Sequence, residues 1–466
     1  MSELWQRSAG ELADLIAKGE VSSVEVVHAH LDRIDAVNGA VNAITAVMAD
    51  EALQAAKEAD RVVADGGALG ALHGVPFSVK ENIDVAGSPT TQGLPALADV
   101  VAPTDAPVVA RLRGAGGIPF ARTNLPDLGL RVHTDSFLHG PTRNPWDSTR
   151  TAGGSSGGEA AALATGMSPL GLGNDIGGSL RNPAFCCGIA SIKPSTHRVP
   201  EAASTSPEES FLAAQLMAVE GPMARRVADV RTAFKLLAGA DPRDPFCISA
   251  PFDGPPVGSP IRVALVPEPP GGSTTATVAA SVRAAGDALA DAGYDVVEIT
   301  PPMVEEAIET WGRWLMCDIQ GIRPTIAPIM SPNANRFLDF ANQAIGEVST
   351  AELMPLMMKR HAIGRAWSEF MVDHPLVVGP VWTGPQFIAD WDVESLDNAA
   401  AVLELIRFVT PMNLLGLPSA CVATGVVDGL PTGVQVTGGR FREDVCLDGA
   451  EAIESRLGTI TPIDPR

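Results

Sequence analysis

Apolar residues recur at three- and four-residue spacing in "ELADLIAKG" and "VEVVHAHLDRIDAVN", the period of a helix with one buried face. Each run follows a capping-box pattern, Ser8-x-x-Glu11 and Ser22-x-x-Glu25, so a helix is predicted at both places. The texture then changes. "HGVPFSVKENIDVAG" and "GGIPFARTNL" are apolar runs bounded by Gly and Pro, which read as strands. Between them "TDAPVVARLRGAG" reads as a helix ending in glycine, and strand, helix and strand with short connections predict α/β architecture.

A Pro/Gly-rich break, "APFDGPPVGSP", lies around 250–260, and a second strand–helix–strand unit follows in "IRVALVPE", "VAASVRAAGDALADAG" and "YDVVEIT". Residues from about 300 to 400 are more helical and carry five of the seven tryptophans. The end, "TPMNLLGLPSACVATGVVDGLPTGVQVTGG", returns to short apolar runs and turns. No internal repeat is visible. These shifts fit one domain over 1–466, with N-terminal helices to about 65, a core over about 66–245 and a variable helical segment over about 300–400.

Composition narrows the function. With 46 Gly and 38 Pro among 466 residues, the chain is rich in turns rather than a helical bundle. A net charge of −22 with no dense basic stripe argues against nucleic acid or an anionic membrane as partner. The six cysteines, Cys186, Cys187, Cys247, Cys317, Cys421 and Cys446, show no metal-ligand spacing and read as buried thiols. The opening "MSELWQRSAGELADLI" lacks a basic start and an apolar core, and no run of about 18 apolar residues occurs. A cytoplasmic protein is expected.

The chemistry lies in three stretches. In "TAGGSSGGEA" (151–160) four glycines surround two serines and lead into a helix-forming run. Both flanks look folded, which argues against a linker, and no Lys-Ser or Lys-Thr follows the glycines as in a phosphate-binding loop. Downstream, "GLGNDIGGSLRNPAFCCG" places Gly177 and Gly178 before Ser179, where backbone N–H groups can converge as in an oxyanion hole. His133, His139 and His197 are the histidines nearest these serines in sequence, and none sits in a motif that demands catalysis. Lys80 closes the apolar run "GVPFSVK", and a buried lysine can serve as a base.

Together, "GVPFSVKENID", "GGSSGGEAAALATG" and "GNDIGGSLRNPAFCCGIASIKPS" resemble the amidase signature family, in its order and spacing. The likeness extends to 221–239 and 413–439 and is weakest over about 300–400. It implies an α/β fold with a large mixed central β-sheet covered by helices on both faces. It also implies a Ser–cisSer–Lys triad. Ser179 would be the nucleophile, Ser155, after a cis peptide bond from Gly154, the bridging serine, and Lys80 the base. The N–H groups of Ile176, Gly177, Gly178 and Ser179 would form the oxyanion hole, supported by Ser156, Asp175 and Arg181. No metal or organic cofactor is implied, and a monomer or homodimer is expected. Four positions depart from the usual pattern: Glu81 for Asp, Ala152 for Pro, Asn174 for Thr and Ser191 for Gly.

The family resemblance implies an amidase that cleaves the C–N bond of small carboxamides through an acyl-enzyme, with esters and carbamates (urethanase activity) as further substrates. Aromatics in the variable segment, Trp311, Trp314, Trp382 and Phe387, are candidates for a pocket that takes an apolar or aryl acyl group. The alternative within the family is the glutaminase (A) subunit of a tRNA-dependent amidotransferase. A non-catalytic binding protein on the same scaffold is a third reading, disfavoured because all three triad side chains are present.

Overall fold

The structure, a computed structural model, describes residues 3–206 and 209–466. Both capping boxes form, each serine accepting from the glutamate N–H while the glutamate accepts from the serine N–H. The helices they start run Ala9–Ala17 and Ser23–Val41.

The strands are β1 (Ile44–Val47), β2 (Pro76–Lys80), β3 (Ile118–Thr123), β4 (Asp135–Ser136), β5 (Gly140–Pro141), β6 (Leu170–Asp175), β7 (Ala190–Lys193), β8 (Val219–Ala224), β9 (Arg262–Leu265), β10 (Asp295–Glu298), β11 (Leu376–Pro380), β12 (Ser419–Val427) and β13 (Leu430–Gly438). Eleven of them form one mixed sheet in the order β1-β3-β2-β6-β8-β7-β12-β13-β11-β9-β10, while β4 pairs with β5. β2 is parallel to β3 and β6, and β9 is parallel to β10 and β11. Such parallel pairs need crossovers, and the helices Pro107–Gly114 and Ala276–Asp291 supply two of them.

Helices cover both faces. Ala9–Ala17, Pro107–Gly114, Val227–Leu237, Ala276–Asp291 and Glu443–Leu457 bury their apolar stripes with Phe77, Val79 and Leu172 in one layer. Gly157–Ala164 and Arg181–Cys187 pack into a second layer, with Ile118 and Phe120. The segment between β10 and β11 forms the long helices Val304–Ile326, Pro332–Ile345 and Thr350–Asp373, which carry apolar clusters of their own.

The alternation of β2 positions the site. Phe77 and Val79 lie in the first layer, so Ser78 and Lys80 face the second. β3 carries one extra residue, because Phe77 pairs with Pro119 but Ser78 pairs with Ala121. Ile118, Phe120 and Ala121 therefore all reach the second layer. Thr123 comes round beside Glu159, to which its hydroxyl donates at 2.8 Å.

Candidate active site

Lys80 is fully buried at the end of β2. Its Nζ lies 2.7 Å from Ser155 Oγ and donates to Asn174 Oδ1 at 2.6 Å. Burial pushes its amine down to about 7, against the opposing charges of Asp175, Glu159 and Glu220. Glu159, beneath it, is raised to about 7 by burial, although Ser78 and Thr123 donate to its carboxylate. The Gly154–Ser155 peptide bond is cis. No side chain fits at either preceding glycine. A Cβ on Gly153 (φ 79°) would lie 2.7 Å from Pro183 Cα, and one on Gly154 the same distance from Arg131 O.

Ser179 sits in the loop between β6 and the helix Arg181–Cys187. The loop is wound around the Asp175 carboxylate, which accepts from the N–H groups of Gly178 (2.7 Å) and Leu180 (3.1 Å). Asp175 also receives Arg181 through Nε and Nη2, both at 3.1 Å, and Asn413 at 2.9 Å. Burial alone would raise that carboxyl, but the Arg181 charge and its hydrogen bonds hold it well below the usual range. Ser156 N–H donates to Ser179 O at 3.3 Å and ties the two serine loops together. Of the four N–H groups expected to form an oxyanion hole, that of Gly178 is directed at Asp175 instead. Those of Ile176, Gly177 and Ser179 meet no protein acceptor among the described residues.

Beside Ser179 opens a partly solvent-open cavity. Ile176 and Gly177 border it at the serine end, and Leu315, Phe337 and Ile406 are among its apolar walls. Of the four aromatic candidates only Trp311 lines it. Trp314 is wholly buried among the long helices, while Trp382 and Phe387 stack on each other in the second layer with ring centroids 5.5 Å apart. These three pack as core. Trp382 still touches the site indirectly, since its indole N–H donates to Asn182 Oδ1 (3.0 Å) and Asn182 Nδ2 donates to Gly177 O (3.1 Å).

One charged side chain lines the cavity among the described residues, Arg131. Its guanidinium is matched by acids: Asp392 at 2.7 Å through both oxygens, Asp390 at 2.8 Å and Asp135 at 3.2 Å. Sequence reading missed this cluster, for which the one local signal was the run "DWD" (390–392) in a hydrophobic stretch. The histidines lie elsewhere. His133 contacts Thr151 and is pushed down to about 4 by burial and then by the Arg131 charge. His139 meets Glu81 at 2.9 Å, and His197 is half-buried near Phe246. The unusual Glu81 is further satisfied by the hydroxyls of Thr45 and Thr91, and Ser191 donates to Leu180 O at 3.0 Å. Among the described residues, no three or more His, Cys, Asp or Glu side chains are grouped to hold a metal ion, and all six cysteines are free and buried. Among the same residues, no helix is long and apolar enough to cross a membrane.

The sequence model of the amidase family matches residues 25–447. The chain is 42% identical over 464 residues to an indoleacetamide hydrolase of Bradyrhizobium diazoefficiens, covering 98% of this chain and 88% of that one. It is 33% identical over 500 residues to the (A) subunit of a glutamyl-tRNA(Gln) amidotransferase from Salinispora tropica, covering 99% of both. In three dimensions it resembles 6-aminohexanoate cyclic dimer hydrolase complexed with substrate, with a TM-score of 0.82, 26% identity and 98% of each chain covered.

Proposed function

Since the chain belongs to the amidase signature family and is an amide-hydrolysing enzyme, we propose that it cleaves primary arylacetamides, indole-3-acetamide among them, through an acyl ester on Ser179. Ser179 Oγ attacks the carbonyl carbon, and its proton passes to Ser155 Oγ as the Ser155 proton moves to neutral Lys80. Asn174 Oδ1 accepts one Lys80 N–H at 2.6 Å, which leaves the lone pair of the neutral amine available to Ser155 Oγ, 2.7 Å away. The N–H groups of Ile176, Gly177 and Ser179 meet the charge that develops on the carbonyl oxygen. Lys80 returns its proton through Ser155 to the leaving nitrogen, ammonia departs, and the acyl group stays on Ser179. Water then attacks that ester by the same relay and releases the carboxylic acid. Esters of the same acyl group would enter the same cycle, and a carbamate would enter it through a carbonate or carbamoyl ester on Ser179.

One observation carries the choice of substrate. The cavity beside Ser179 is walled by apolar side chains, and its single cation is already engaged by three carboxylates. Glutamine would bring a carboxylate and an ammonium into that cavity with no free charged partner, which disfavours binding. An aryl acyl group would gain from burial there. The name of the Bradyrhizobium relative points the same way. Purified enzyme offered indole-3-acetamide, phenylacetamide and glutamine should release ammonia and the matching acid from the first two, and Ser179→Ala should release neither. Turnover of glutamine alone would instead favour the amidotransferase reading.

A further inference from the structure

The oxyanion loop contains two adjacent glycines, and the orientation of its peptide units is set by what holds their carbonyls. A peptide unit is planar, with its C=O and N–H pointing in opposite directions. Fixing Ile176 O therefore aims the Gly177 N–H, one of the donors that the proposed cycle uses. The sole donor to Ile176 O among the described residues is the indole N–H of Trp311, at 2.9 Å. Trp311 belongs to the helix Val304–Ile326, outside the loop, and its ring also lines the acyl cavity. The same ring presses on Gly177, where a Cβ would come within 2.5 Å of Trp311 Cζ2. The next unit has its own restraint, with Gly177 O held by Asn182 and the Gly178 N–H held by Asp175.

We infer that Trp311 couples filling of the acyl cavity to the set of the oxyanion hole. A bound aryl group packs on one side of the indole and pins it against Gly177, and the indole N–H holds the Ile176–Gly177 peptide in the donating orientation. A small acyl group leaves the ring unpinned and the Gly177 N–H less well aimed. Discrimination between acyl groups then appears in kcat as well as in KM, because the interaction that aryl binding secures is used in the transition state. Trp311 acts through Gly177 and is a positioning residue. The inference rests on the reading of Ser179 as nucleophile with a backbone oxyanion hole.

The test compares wild type and Trp311→Phe on acetamide, phenylacetamide and indole-3-acetamide, with thermal melting followed alongside. Phenylalanine keeps an aromatic wall and removes the N–H. Wild-type kcat should rise along the series. Trp311→Phe should lower kcat on indole-3-acetamide about tenfold, a fraction of the roughly 10²–10³ lost with a direct oxyanion donor. Its KM should stay nearly constant, and its kcat on acetamide should change much less. Equal losses on acetamide and indole-3-acetamide, or a rise in KM at constant kcat, would make Trp311 a wall only and overturn the coupling. Should the variant fail to fold, the wild-type series decides, since a flat kcat with falling KM refutes the inference. Failure of the underlying reading has another signature, namely full activity in Ser179→Ala.

Discussion

Two regions meet at the cavity beside Ser179, and they are built differently. One is the polar centre at the ends of the inner strands β2 and β6, where Lys80, Ser155, Asn174 and the loop around Asp175 are held by short contacts. The other is the helical wall, where residues such as Leu315, Phe337 and Ile345 present apolar surface. In the first, the groups are fixed by directional hydrogen bonds, and losing one atom removes a chemical step. In the second, the face towards the cavity is shaped mainly by packing of apolar side chains, and ones of similar volume can exchange places. On the proposed reading the chemistry is concentrated in few atoms, and the choice of acyl group is spread over many.

The contrast is tested hardest by removing the proposed nucleophile or the proposed base. Ser179→Ala and Lys80→Ala should each reduce amide turnover by a factor on the order of 10⁴–10⁶, read as single-turnover rates. Lys80→Arg should not restore it, because a guanidinium stays protonated. Ser155→Ala should cost about 10²–10⁴ on an anilide and clearly less on the matched p-nitrophenyl ester, whose leaving group departs without a proton. Equal losses in kcat/KM on both substrates would remove the relay role. The pH profile comes next. Burial lowers Lys80 to about 7, and only the neutral amine accepts a proton. Amide turnover should therefore rise through that pH and plateau above it, with about a tenth of the plateau one unit below.

On the wall the effects shrink. Ile345→Trp, which narrows the cavity, should raise KM for indole-3-acetamide about tenfold and leave acetamide almost unaffected. Trp314→Phe should change neither kcat nor KM. That indole is wholly buried away from the cavity and its N–H has no partner among the described residues, so its loss also leaves melting within a few degrees. A change in acyl preference in Trp314→Phe would show that the wall extends further into the helices than its lining.

The two regions also differed in how far the sequence revealed them. β2 could be read because a buried apolar run ended in a charge, and the glycines marked out the stretches around Ser155 and Ser179, whose roles came from the resemblance of the three motifs together. The capping boxes at Ser8 and Ser22 were equally local. The wall was not legible in this way. Trp311 and Trp314 share one amphipathic helix, whose local pattern is the same whether an aromatic faces a cavity or a neighbouring helix, and Trp382 and Phe387, in the loop after β11, carry no periodic pattern at all; three of the four candidates turned out to face core. The Arg131–Asp392 pair spans 261 positions, so neither residue announces the other. The diversion of the Gly178 N–H depends on where the Asp175 carboxylate points, which spacing does not encode.

The extra residue at Phe120 has a consequence for the changes of length this chain can tolerate. Along a strand the two faces alternate like the beats of a metre, and one added syllable inverts every beat after it. Up to Phe120 the even positions of β3 look into the second layer, and beyond it the odd ones do. Were the strand to straighten with all its residues, Arg122 would stand opposite Lys80 in place of Thr123, setting a guanidinium beside the Lys80 amine. A deletion acts in the opposite sense. Without Phe120, Pro119 still meets Phe77 and Ala121 still meets Ser78, so the ladder closes up with Thr123 beside Glu159 as before. The irregularity is therefore slack of one residue in the strand that floors the active site. Loss of a single residue between Pro119 and Thr123 keeps the beat against β2, at the cost of a buried side chain and of the pairing with β1, and loss of a second throws the floor out of step.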